Sequence, residues 1–207
     1  MAETTKPLIW ACANGRTAAV QLLLNEGASP DACERDGVRP LLIAAQNGHF
    51  EVVNLLLRHN AKIDLQTDDG VSALWMACQL GRDDVVHDLL AIGQRDCARN
   101  DGATALFKAA HKGFSRIVDE LISMGANKGI LQNGESALHA AALFGHEDVV
   151  RRLLEAGADV TLKNQTGETP FELATQMNYE RIAELLSFSQ RFSSNSNRLN
   201  QFHKNTT

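Results

Sequence analysis

Apolar residues recur along this chain in short helical runs, two to a unit, with a single glycine ending each run. The stretch from Asn133 to Ala158 shows the unit in full. A turn signal, Asn133-Gly134, precedes an Ala-rich run that breaks at Gly145. A second run carries Val149, Val150, Leu153 and Leu154 and breaks at Gly157. The apolar positions follow the three-and-four spacing of an amphipathic helix. One such helix pair cannot bury its apolar face alone, so the unit predicts further copies of itself.

The copies are present. Turn glycines fall at Gly37, Gly70, Gly102, Gly134 and Gly167, spaced by 33, 32, 32 and 33 residues. Mid-unit breaks fall at Gly15, Gly48, Gly81, Gly113, Gly145 and Asn178, and end breaks at Gly27, Asn60, Gly93, Gly125 and Gly157. Both departures from glycine are Asn, the residue that best tolerates the left-handed conformation of a helix end. Leu8, Leu41, Leu74, Leu106, Leu138 and Phe171 open the first helices, and pairs such as Ala44-Ala45 and Ala141-Ala142 let successive helices approach closely. Ser72, Thr104, Ser136 and Thr169 stand where a hydroxyl caps a helix, and Pro7, Pro40 and Pro170 stand at first helical positions, where a missing N–H is harmless. The shorter spacings arise between Gly93 and Gly102 and between Gly125 and Gly134, which predicts two shortened fingers.

The fold expected is an all-α solenoid of about six helix-turn-helix units joined by short β-hairpin fingers at the Asp-Gly and Asn-Gly pairs. A short lead over 1–5 precedes units at about 6–33, 34–66, 67–98, 99–130, 131–163 and 164–188. The first and last units serve as caps. Residues 189–207, rich in Ser, Asn and Gln, read as a disordered tail. Phe188 and Phe192, one helical turn apart, give that tail a second reading as a helix extension or docking peptide.

The pattern resembles the ankyrin-repeat family over about Lys6 to Ser187. The family's Thr-Pro-Leu-His box is paralleled by Arg39-Pro40-Leu41-Leu42, Ser72-Ala73-Leu74-Trp75, Thr104-Ala105-Leu106-Phe107, Ser136-Ala137-Leu138-His139 and Thr169-Pro170-Phe171-Glu172. Gly48-His49 with Val52-Val53, and Gly145-His146 with Val149-Val150, match a second family element. Only His139 keeps the His of the box, which weakens one inter-repeat hydrogen-bond device. Segments 98–113 and 129–141 also look like a small all-ankyrin animal protein. The resemblance implies a non-catalytic scaffold or adaptor that binds a partner protein on a concave face of finger tips and first helices. Carried onto this sequence, the contact positions in the fingers are Arg35, Asp36 and Val38; Asp68, Asp69 and Val71; Asn100, Asp101 and Ala103; and Gln132, Asn133 and Glu135. Those on the first helices are Gln46 and Asn47; Gln79 and Leu80; His111 and Lys112; and Leu143 and Phe144.

Composition narrows the chemistry. A net charge of -5 gives no electrostatic footprint for nucleic acid, and no apolar run approaches a membrane span. The N-terminus has no signal-peptide shape. Cys12, Cys33, Cys78 and Cys97 show neither Cys-x-x-Cys nor zinc-finger spacing. They read as free, mostly buried thiols of an intracellular, cytoplasmic or nuclear, monomeric protein. The adjacent Asp83 and Asp84 point apart on a helix, and Asp68-Asp69 lacks the spaced oxygens of a calcium loop. No nucleophile–base pair, metal set or cofactor motif is present, so the chain is not read as an enzyme. Recurrence marks His49 and His146 as structural. Leu80, Leu143 and Phe144 are either binding hot spots or finger packing. Trp75 and Phe107 are either an aromatic anchor pair or packing between repeats.

Overall fold

The computed structural model describes residues 2–34, 37–93, 98–126 and 130–191. These form six antiparallel helix pairs. The first five are α1 (Ala2–Ala13) with α2 (Thr17–Asn25), α3 (Pro40–Asn47) with α4 (Phe50–Arg58), α5 (Ala73–Leu80) with α6 (Asp83–Ala91), α7 (Ala105–Lys112) with α8 (Ser115–Ser123), and α9 (Ala137–Leu143) with α10 (Glu147–Glu155). The sixth pairs α11 (Pro170–Gln176) with α12, helical over 180–191. The first helices stack on one another from α1 to α11, and the second helices stack from α2 to α10.

The stacking follows from side-chain size. Ala44, Ala45, Ala77, Cys78, Ala109, Ala110, Ala141 and Ala142 are all buried between first helices. Leu8, Leu74, Leu106 and Leu138, with Val53, Val86, Val118 and Val150 from the second helices, form one continuous core. Ser72, Thr104, Ser136 and Thr169 cap the helices as expected. Ser72 and Thr104 accept from the backbone N–H of Trp75 and Phe107 at 3.1 Å each. Pro7 departs from the expectation, because α1 begins at Ala2 and Pro7 lies inside it. There it forfeits one intrahelical bond.

Asn60 (φ 62°) and Asn178 (φ 59°) are the two positive-φ residues other than glycine among the described residues. They are the two positions where Asn interrupts the glycine series. At Gly145 (φ +75°) a Cβ would also lie 2.7 Å from the Tyr179 ring, so conformation and space both require glycine there.

The fingers differ from expectation. Among the described residues there is no β-strand. Across each finger runs one backbone bond, as from the Thr67 N–H to the Val71 carbonyl at 3.0 Å and from the Leu131 N–H to the Glu135 carbonyl at 2.8 Å, with the turn glycine N–H bonded back at Gly70 to Thr67 and at Gly134 to Leu131. A hairpin would return the bond from the far residue. Instead, side-chain oxygens take that N–H: Thr67 Oγ1 from Val71, Asp101 Oδ1 from Ala103, Asn133 Oδ1 from Glu135 and Asn164 Oδ1 from Glu168. Polar turn residues thus compete with the ladder and win. The predicted shortenings, between Gly93 and Gly102 and between Gly125 and Gly134, include 94–97 and 127–129, which lie outside the described residues. Cys97, Arg35, Asp36 and residues 192–207, including most of the proposed tail, lie outside them as well.

Candidate functional site

The fingers spend their polar side chains on one another. Asn100 Nδ2 donates to the Asp68 carbonyl at 3.0 Å, Gln132 Nε2 to the Asn100 carbonyl at 3.1 Å, and Gln165 Nε2 to the Gln132 carbonyl at 3.1 Å. Arg99 pairs with Asp69 at 3.3 Å and lies 3.9 Å from Asp101. Thr67 Oγ1 donates to the Asp69 carboxylate, and this bond is the main reason its pKa lies below the usual carboxylate value. Asp68, Asp69, Asn100, Asp101 and Gln132 are exposed, as a contact surface requires, but four of the five side chains have partners within the array. Val71 and Ala103 are buried, and Val38, Asn133 and Glu135 are half-buried.

A second row runs along the C-terminal ends of the first helices: Asn14, Asn47, Leu80, Lys112, Phe144 and Met177. Its two halves differ. Asn14 and Asn47 turn back and donate to carbonyls of their own helices at 2.8 and 2.9 Å. Leu80, Phe144 and Met177 remain 39%, 46% and 47% exposed. Lys112 is exposed and meets no carboxylate within ion-pair distance among the described residues. Beside this row lie the half-buried Gln46, Gln79, His111 and Leu143.

An aromatic shelf supports the open half. The edge of His111 meets the Phe144 ring at 4.3 Å, with Phe107 and His146 at the two ends, 6.4 Å away. Burial, first, and then the charges of Lys108 and Lys112 hold the His111 pKa below its ordinary value; Glu135 opposes them. Its Nδ1 is buried without a hydrogen-bond partner. Burial also lowers the pKa of Lys108, with Asp101 opposing. Lys108 and Arg99 both lie over the Trp75 ring, 5.5 and 5.0 Å from its centroid. Lys108, Arg99 and Met177 were not among the residues expected from sequence. Lys108 precedes Lys112 by one helical turn, and Met177 continues the row of Leu80 and Phe144, so repeat register alone could have found both.

The remaining candidates are structural. Trp75 is 2% exposed, and its Nε1–H donates to the Ala103 carbonyl of the next unit at 3.0 Å. His139 holds the same register position. The Ser136 N–H donates to its Nδ1 at 3.2 Å, which leaves Nε2–H to donate to the Glu168 carbonyl at 3.1 Å. Trp75 therefore restores the inter-repeat bond that the altered box was expected to lose. Phe107 is buried beside it. His49 and His146 reach back to the Ala13 and His111 carbonyls at 3.0 Å each, and Arg82 reaches the Gln46 carbonyl in the same way at 3.1 Å. A separate groove of about 690 Å³ is lined by Leu106, Ile122, Ile130 and Leu153 among others. Among the described residues no cluster of His, Cys, Asp and Glu could hold a metal ion, and no helix is long and apolar enough to cross a membrane.

Comparison with known proteins agrees with this architecture. A family model described as ankyrin repeats in three copies matches residues 8–100, 59–130, 74–164 and 128–198. An ankyrin repeat domain from Acinetobacter baumannii superposes with a TM-score of 0.81 at 26% identity, covering 89% of this chain and 97% of that one. The human ASB11 ankyrin repeat domain gives 0.80 at 26% identity, covering 88% and 83%. The ankyrin repeat domain of Bcl-3, a member of the IkappaB protein family, gives 0.77 at 29% identity, covering 87% and 81%. No curated protein matches the chain, so the resemblance to one small all-ankyrin protein has no support. With overlapping family matches running from residue 8 to residue 198 and the same stacked helix pairs in solved relatives, the chain belongs to the ankyrin-repeat family.

Proposed function

We propose that this protein is a non-catalytic scaffold that captures a partner protein on the finger-side face of its first helices, centred on α5, α7 and α9. Ankyrin repeats generally serve as protein-interaction modules. The observation that carries the assignment to this face is the row Leu80, Lys112 and Phe144. These side chains are exposed, and among the described residues Lys112 makes no ion pair. Large apolar side chains left part-exposed in successive units form the kind of apolar surface that marks an interaction site. The fingers contribute the adjacent wall, and their cross-bonds hold it in place. The thiols of Cys12 and Cys33, which form no disulfide among the described residues, suit a reducing intracellular compartment, where the protein acts as a monomer.

A photo-crosslinking residue at Leu80, compared with one at the exposed Glu51 on α4, tests this in the native cell. The reading expects a discrete crosslinked partner from position 80 and none from position 51. Equal labelling from both positions removes the assignment.

A second reading makes the array a spacer and gives recognition to the Phe-bearing C-terminal segment. Phe188, 64% exposed near the end of α12, favours it. Phe188→Ala combined with truncation after residue 188 separates the two: loss of the crosslinked partner supports the tail, and retention supports the first-helix face.

A further inference from the structure

We propose that the row Leu80, Lys112, Phe144 docks an extended, polyproline II-like segment of the partner, in which an acidic residue is flanked three residues away on each side by an apolar one. This rests on the face assigned above and specifies what that face recognises.

The first argument is register. Leu80 and Lys112 are the last residues of α5 and α7, and Phe144 is the residue after α9, so all three occupy one place in successive units. Packed helices lie ~8–10 Å apart, which sets the interval along the row. A polyproline II helix rises ~3.1 Å per residue with three residues per turn, so it returns the same face every ~9 Å. A β-strand returns its face at roughly 6.7 Å and again at roughly 13 Å, out of step with the units. An α-helix needs seven residues and about 10.5 Å. The extended three-residue period alone places consecutive turns over consecutive units within the range.

The second argument is charge. The chain carries a net charge of -5, yet the middle of this row is cationic. Lys112 has no ion-pair partner among the described residues, and Lys108 stands one turn earlier on α7. The nearby carboxylates are Asp69, Asp101 and Glu135. Asp69 and Asp101 flank Arg99, and Glu135 and Asp101 are felt by His111 and Lys108 only through space. The favoured complement to Lys112 is therefore a carboxylate on the ligand. The third argument is shape. The Phe144 ring is seated on the edge of His111 at 4.3 Å and leaves nearly half its surface open. Aromatic-lined grooves accept polyproline II segments because these are already extended and lose little entropy on docking.

The test is fluorescence anisotropy on the full chain with labelled Leu-Pro-Pro-Glu-Pro-Pro-Phe. Two control peptides carry Lys in place of Glu, or have one Pro deleted from each pair. The parent peptide should bind, and each control should bind at least tenfold more weakly. Lys112→Glu should lose the parent peptide by tenfold or more and gain the Lys-bearing control, a rescue that a misfolded variant could not show. Equal binding of the shortened peptide, or of the charge-reversed peptide by the unaltered protein, overturns the inference. If crosslinks from position 80 persist while no peptide binds, the extended-segment inference falls and the face remains. If neither is seen, both fall.

Discussion

Asn100 and Lys112 belong to the same repeat unit and both are exposed, yet they stand in opposite relations to the array. Asn100 reaches the Asp68 carbonyl of the finger before it, and its own carbonyl receives Gln132 from the finger after it. Among the described residues, the Lys112 side chain makes no ion pair. The same contrast separates Asp69, Asn100, Asp101 and Gln132 in the fingers from the open part of the helix-end row. Exposure alone therefore does not mark an interaction surface in a repeat protein. What matters is whether the neighbouring unit has already claimed the side chain. In the helix-end row even an Asn is claimed, by its own helix at Asn14 and Asn47, so the free positions narrow to units three to six.

The contrast can be broken by substitution. Trp75→Ala should have the largest effect on stability, a loss of about 3–5 kcal/mol for a buried aromatic. Urea unfolding checks it; an unmoved midpoint would place Trp75 with the free row. His139→Ala should cost about 1–3 kcal/mol, because buried bonding groups at Ser136 and Glu168 lose their partner. Its pH dependence has a definite sign. Burial holds the folded pKa of His139 below its ordinary value of 6.5, with the carbonyl of Glu168 opposing. Between the two values the unfolded chain binds more protons. Stability is thus fully present above the ordinary value and declines as pH falls through it. The substitution should flatten that decline in part, since His111 behaves in the same way. Gln132→Ala removes an exposed bond and should cost about 0.5–1 kcal/mol. Phe144→Ala should change stability least, by about 0.5 kcal/mol, because the ring meets the neighbouring unit only through its edge-to-face pair with His111 and leaves nearly half its surface open.

Much of the fold was legible because each unit obeys the same local rules. The Asn residues at 60 and 178 announced their left-handed backbone, and the hydroxyls at 72, 104, 136 and 169 announced the caps. The finger geometry was not legible. Asn-Gly and Asp-Gly pairs signal a tight turn, but whether the far N–H bonds across the hairpin or to Thr67, Asp101 or Asn133 depends on side-chain geometry that spacing does not contain. Pro7 misled for a related reason: α1 extends back to Ala2, so the helix begins before the proline. For the site, repeat register located Leu80, Lys112 and Phe144. It also offered Asn100, Gln132 and Val71 on equal terms. Only the contacts between units showed that Asn100 and Gln132 are bonded to other fingers and that Val71 is buried. Trp75 looked like a broken box residue, yet its indole N–H makes the bond that His139 makes two units later.

The most direct test measures photo-crosslinking from position 80 in two backgrounds, Phe144→Ala and Gln132→Ala, with unfolding free energies recorded alongside. The free-row account predicts that Phe144→Ala abolishes the crosslinked partner at nearly unchanged stability, while Gln132→Ala lowers stability by at least as much and keeps the partner. The opposite pattern, with the partner lost on Gln132→Ala and retained on Phe144→Ala, would contradict it.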